Sequence, residues 1–157
     1  MLHRRLLIIP LVVAALGSGQ ALADDPSDNV ELGVEVAQCE TGAAGDDRVV
    51  VFRGSMPAAP PALRLAMNFE LQERPAGADD FERVAAAKFG IWQKSAAGAS
   101  GYVLAKRVEG LAPGAAYRVV VRYRWYAKGG KVLRSAKRTS ALCKQPGAKR
   151  MSRGEAR

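Results

Sequence analysis

The sequence predicts an all-β protein, a seven-stranded antiparallel two-sheet β-sandwich that follows an N-terminal export signal. Three observations carry this. Apolar residues recur at alternate positions in short runs, most clearly where Tyr117, Val119, Val121, Tyr123 and Trp125 alternate with Arg118, Val120, Arg122, Arg124 and Tyr126. Clusters of Gly, Pro, Ala and Asp separate those runs. Only one long apolar run exists, and it stands at the extreme N-terminus.

That run, Leu6 to Leu16, follows the basic pair Arg4-Arg5 and precedes Ala21-Leu22-Ala23, an A-x-A signal-peptidase pattern. It is about half the ~20 residues a bilayer-spanning helix needs, and Pro10 interrupts it. The expectation is a signal peptide over residues 1–23, cleaved after Ala23, and a periplasmic or extracellular mature chain starting at Asp24 with no transmembrane segment. An uncleaved anchor is the competing reading, and Arg4-Arg5 weakly resembles a twin-arginine signal. The 134 residues left make one ordinary domain, large enough to bury a core without metals. Residues 24–29 form a polar lead, 30–146 the sandwich, and 147–157 a basic tail without a hydrophobic face, read as disordered.

The strands follow in order. Val30, Leu32, Val34 and Val36 alternate with Glu31 and Glu35. Arg48–Phe52 is a short β-branched strand, closed by a proline-containing stretch. Leu63, Leu65, Met67, Phe69 and Leu71 share one face of the next strand, with Arg64, Asn68 and Glu70 on the other. Residues 81–95 are ambiguous. Phe81, Val84, Ala85, Lys88, Phe89 and Trp92 have helical spacing, with Asp79 or Asp80 as a cap, yet the segment also reads as a bulged strand pair. Its strand neighbours favour strand. Tyr102–Val108, Tyr117–Tyr126 and the returning run Lys131–Cys143 complete the set, the last two joined by a glycine hairpin at Gly129-Gly130.

The run from Leu111 through Pro113 to Tyr117, followed by an alternating strand, resembles the loop-plus-tyrosine pattern before the sixth strand of fibronectin type III domains. The resemblance implies that Leu111 plugs the base of the core and Pro113 stiffens the turn. It further implies that Tyr117 buries its ring while its hydroxyl bonds backbone at the corner. It spans residues 30–146 in strand order but is specific only from Leu111 to Tyr123. Phe52 stands where the family usually has a tryptophan.

Cys39 and Cys143 are the only cysteines, and an exported pair of this kind usually forms a disulfide. It would close a loop of about 105 residues, worth roughly 4–5 kcal/mol in the chain-entropy model. In the topology that the resemblance implies, such a bond clamps the first strand to the last. A reactive or metal-binding pair is the alternative.

The only histidine, His3, lies in the signal segment, so the mature chain lacks Ser-His-Asp, Cys-His and ordinary histidine metal chemistry. Glu70 and Glu73 are candidate paired carboxylates, but one reads as the wet face of a strand and the other as a loop edge. The pairs Asp24-Asp25, Asp46-Asp47 and Asp79-Asp80 lack the ligand spacing of a calcium loop. No catalytic residue, cofactor or metal site is expected, and the chain reads as no enzyme.

Charge is the remaining signal. The mature chain carries 22 basic and 15 acidic residues, a net of +7. Residues 24–90 hold 6 basic and 13 acidic, while residues 91–157 hold 16 basic and 2 acidic. That asymmetry either attracts anionic partners or pairs the two halves with each other. Arg118, Arg122 and Arg124 share one strand face, with Lys131, Arg134, Lys137 and Arg138 on the neighbouring strand; these seven are the candidate anion-binding residues. The competing reading is an ordinary solvated face pairing with Glu70 and other acids. The leading functional expectation is a non-catalytic exported module for adhesion, scaffolding or ligand binding to an unknown protein or envelope polymer. The first alternative is a binder of phosphate-rich polymer, acidic glycan or lipid headgroups, with no nucleic acid partner expected. The second is an enzyme inhibitor or accessory domain.

Overall fold

The computed structural model describes residues 30–147; the expected signal peptide, the polar lead expected over residues 24–29 and residues 148–157 lie outside the described residues. Nine β-strands and no helix are present among the described residues. They are β1 (Gly33–Thr41), β2 (Arg48–Pro57), β3 (Arg64–Arg74), β4 (Glu82–Arg83), β5 (Trp92–Lys94), β6 (Gly101–Glu109), β7 (Ala116–Tyr126), β8 (Val132–Thr139) and β9 (Cys143–Lys144). All pair antiparallel in two sheets. One runs β1-β2-β6. The other runs β4-β3-β7-β8, with β5 also on β3 and β9 also on β7.

The two strands beyond the predicted seven come from local breaks. Segment 81–95 is neither a helix nor one strand. Its ends pair with β3 as β4 and β5, while Val84, Ala86 and Phe89 between them turn in against the core. The returning strand breaks at Ser140. There the Ser140 hydroxyl accepts from Val119 N–H at 3.1 Å, and its own N–H donates to Val119 O at 3.0 Å. Ser95 does the same on β3, accepting from Leu65 N–H at 3.1 Å while its N–H donates to Leu65 O. Each serine replaces a carbonyl where a strand leaves the sheet, so the buried backbone donor of its neighbour keeps a partner.

Strand bounds also differ from those predicted. β1 starts later and runs past Val36 to Thr41, with a bulge between Val36 and Gln38. β2 does not stop at Phe52 but continues through Gly54 and buried Met56. A Cβ on Gly54 would stand 2.7 Å from Phe69 Cζ and 3.0 Å from Met67 Sδ, so here side chains of one sheet come close to the backbone of the other and leave no room for a side chain. Leu63, expected inside, is exposed just before β3, whereas Ala66 and Asn68 on the outer face of β3 are buried under their neighbours.

The core lies between the sheets. Phe52, Leu65, Met67, Phe69, Leu71, Val119, Val121, Tyr123 and Trp125 all point into it, and the predicted alternation of β7 holds at every position. Tyr123 donates its hydroxyl to Gly33 O at 2.5 Å, and Trp125 donates Nε1–H to Pro57 O at 3.0 Å. Both aromatic groups thus bury their rings while their polar ends tie β7 to the opposite sheet. The Cys39–Cys143 disulfide joins the same two sheets at the other pole, and Gln145 adds a side-chain bond to Glu40 O beside it.

Candidate functional site

The loop before β7 holds a connected polar arrangement. Leu111 is buried, and Arg48 fastens its loop by donating Nε–H to Leu111 O at 2.6 Å. Pro113 is exposed in the turn, followed by Gly114 at φ +76°. The Tyr117 hydroxyl accepts from Ala112 N–H at 2.9 Å and donates to Glu73 Oε1 at 2.9 Å. Burial pushes its pKa up, and the Glu73 contact adds to that. Glu73 is therefore a partner of Tyr117 within β3, not a residue of a loop edge. Glu70 lies three residues away on the other face of the strand, so the two carboxylates do not converge on a reactive centre.

The outer face of the six-stranded sheet carries part of the basic charge. Strand register settles which of the seven candidates belong together. Arg118, Arg122 and Arg124 face outward on β7, and Lys137 lies opposite Arg122 on β8. Arg134 and Arg138 have the opposite parity, opposite Trp125 and Val121, and Lys131 sits at the end of the β7–β8 turn. Four of the seven thus share one surface.

Each of the three arginines has a neighbour that holds its guanidinium. Arg118 lies 3.9 Å over the Phe81 ring and donates Nε–H to Gln72 Oε1 at 2.8 Å. Arg122 donates to Glu70 Oε2 at 3.1 Å. Arg124 lies 4.2 Å over the Trp92 ring. Lys94 continues the series over Tyr126 at 5.2 Å. Stacking fixes an arginine on its flat face and leaves its in-plane N–H groups free. Trp92 and Phe81 both fall in the segment whose structure was ambiguous in sequence, so these stacks were not foreseen.

Glu70 is the acid of this face, its side chain 13% exposed between Arg122 and Arg83. Burial acts to raise its pKa, but the hydrogen bonds from Arg122 and Gln72 and the charges of both arginines outweigh that and hold it below its ordinary value. Among the described residues four ion pairs form within 4.0 Å, and only Arg122–Glu70 joins the acidic to the basic half of the chain. Internal pairing of the halves therefore absorbs little of the charge. Neither Arg124 nor Lys137 has a carboxylate within that distance among the described residues. They flank a shallow groove of about 380 Å³ with Trp92, Arg122 and Ser135.

No group of three or more metal-ligating side chains occurs among the described residues, and no helix among them is long and apolar enough to cross a membrane. No protein-family model, curated protein or solved structure matches the chain.

Proposed function

We propose that this chain is an exported, non-catalytic binding module of fibronectin type III-like fold that engages anionic polymer at the cell envelope through the outer face of its six-stranded sheet. The fold reading is supported by the Tyr117 corner and by the placement of β4 and β5 beside β3. In the constant-type immunoglobulin arrangement the fourth strand instead joins the first sheet. Export is supported by the A-x-A pattern after an apolar run and by the disulfide, a bond that persists in oxidising compartments.

The observation that carries the binding reading is the groove between β7 and β8. Two cations without carboxylate partners among the described residues, Arg124 and Lys137, stand beside the indole of Trp92. An anionic polymer gains from the charges, and a sugar or other flat group gains from the aromatic edge. Adhesion and scaffolding are the biological settings in which such a module serves.

Heparin, as a dense acidic glycan, is the probe. Its binding should weaken as salt rises from about 0.05 to 0.5 M, because the screening length falls from roughly 14 Å to 4 Å. The double variant Arg124→Glu, Lys137→Glu should weaken it about tenfold or more, each surface contact being worth up to about 1 kcal/mol before reversal. Arg53→Glu, on the opposite sheet, should leave it unchanged. Equal binding by the double variant would sink the reading.

A further inference from the structure

A second concentration of positive charge lies at the edge of the sandwich, where β6 faces β5 across the gap between the sheets. It shares no lining residue with the outer groove. On β6, Tyr102, Leu104, Lys106 and Val108 point inward. The other three are partly buried against the core, whereas Lys106 puts a charged residue on that face, only 7% exposed as a whole and in register with fully buried Phe52. Lysine is rarely buried to this degree without an opposite charge. Among the described residues no carboxylate lies within 4.0 Å of it.

Its charged neighbour has the same sign. Lys88 stands on the loop between β4 and β5 with a left-handed backbone, φ +65°, unusual for any residue but glycine or asparagine. Two backbone bonds hold that loop, Phe89 N–H to Ala86 O at 3.1 Å and Gly90 N–H to Phe69 O at 2.8 Å. Burial, and then the charge of Lys88, hold the Lys106 amine below its ordinary pKa. From β5, Gln93 points inward in register with Met67, and its Oε1 is buried without a hydrogen-bond donor. Lys88, Phe89, Gln93, Leu104, Lys106 and Arg107 line an open cavity of about 350 Å³, within the range of small-molecule sites. Arg107 is the one cation there with an acid, Glu109 at 2.6 Å.

Three unfavourable features thus meet around one cavity: a largely covered lysine with no carboxylate partner among the described residues, a second lysine beside it on a left-handed backbone, and an acceptor with no donor. Strained or unpaired groups persist where something repays them. The geometry points to a binding site for a small organic anion that also carries a hydroxyl, the combination found in sugar acids and sugar phosphates. Lys106 and Lys88 take the anionic group as point charges, and Gln93, by turning its buried amide toward the cavity it lines, offers Oε1 to the ligand hydroxyl. The cavity wall of Phe89 and Leu104 covers the apolar side of a small ring.

Glucuronate and glucose 6-phosphate distinguish a carboxylate from a phosphate; glucose lacks the charge and acetate lacks the hydroxyl. Calorimetric titration of the full mature protein should show saturable binding of at least one hydroxylated anion, at least tenfold tighter than either glucose or acetate. Lys106→Met, which keeps the stem and deletes the charge, should abolish it. Lys88→Gln, at an exposed position that leaves folding intact, should weaken it several-fold with an unchanged melting temperature. Gln93→Leu should reduce the preference over acetate. No saturable binding of either hydroxylated anion, or full binding by Lys88→Gln together with a folded Lys106→Met, would overturn the assignment.

Discussion

Replacing Tyr117 by Phe isolates the polar part of the corner, because the ring stays and only the hydroxyl leaves. The residue is 4% exposed, so the oxygen has little access to water. It makes two bonds of 2.9 Å, one from Ala112 N–H and one to Glu73 Oε1. A neutral hydrogen bond contributes about 1 kcal/mol net, and one to a charged group about 1.5–3. Ala112 is itself exposed, so water recovers part of the first. The expected loss is therefore about 2 kcal/mol, or roughly 6–10 °C in melting temperature for a domain of this size. Urea unfolding followed by tryptophan fluorescence measures it, with the denaturant slope expected to stay constant. A cycle with Glu73→Gln apportions the bonds: the Tyr117→Phe loss should shrink on that background. A loss below about 0.5 kcal/mol, or strict additivity in the cycle, would show that the hydroxyl does not hold the corner.

Gly54→Ala should destabilise by about 1–3 kcal/mol by overpacking against Phe69 and Met67, read from the same unfolding curves; a neutral result would mean the sheets can part at no cost. Glu70 is held below its usual pKa in the fold, so it stabilises above pH 4.5 and that contribution is lost as pH falls below it; Glu70→Gln should flatten the acid limb of a stability–pH profile. Burial raises the Tyr123 pKa to about 12 against an ordinary 10, so stability should fall as pH rises from 10 through 12, and Tyr123→Phe should blunt that fall. Reducing Cys39–Cys143 should lower stability by up to about 4–5 kcal/mol, measured by thermal melts with and without reductant.

What could be read from sequence depended on whether a residue's environment was local. The faces of β7 were legible because strand parity alone sorts Tyr117, Val119 and Val121 from Arg118 and Arg122. The cysteine pair was legible because there was only one pairing. Burial of Asn68 and Ala66 was not, since it depends on Trp92 and the β7 arginines lying over the outer face of β3. The extension of β2 was hidden because the stretch after Phe52 reads as closed by its prolines, whereas the strand runs on to Pro57 and Gly54 within it serves close approach to a strand of the other sheet. The split of the basic residues into Arg118, Arg122, Arg124 and Lys137 against Arg134 and Arg138 needed the β7–β8 register. Lys106 was findable: in the strand Tyr102–Val108 it occupies the same parity as Tyr102, Leu104 and Val108, a charged residue on an apolar face.

The disulfide also decides how the domain would carry a pulling load. Cys39 lies in the first strand and Cys143 in the last, 104 positions apart. Tension applied at residues 30 and 147 passes from β1 directly into β9 through the sulfur–sulfur bond and bypasses everything between. Roughly 350 Å of extended chain is thereby kept out of the force path. Under stretching, the oxidised module behaves as a short, nearly inextensible link, and both proposed binding surfaces keep their shape because each lies wholly inside the shielded loop. A force–extension trace showing a release of that length without reductant would contradict this.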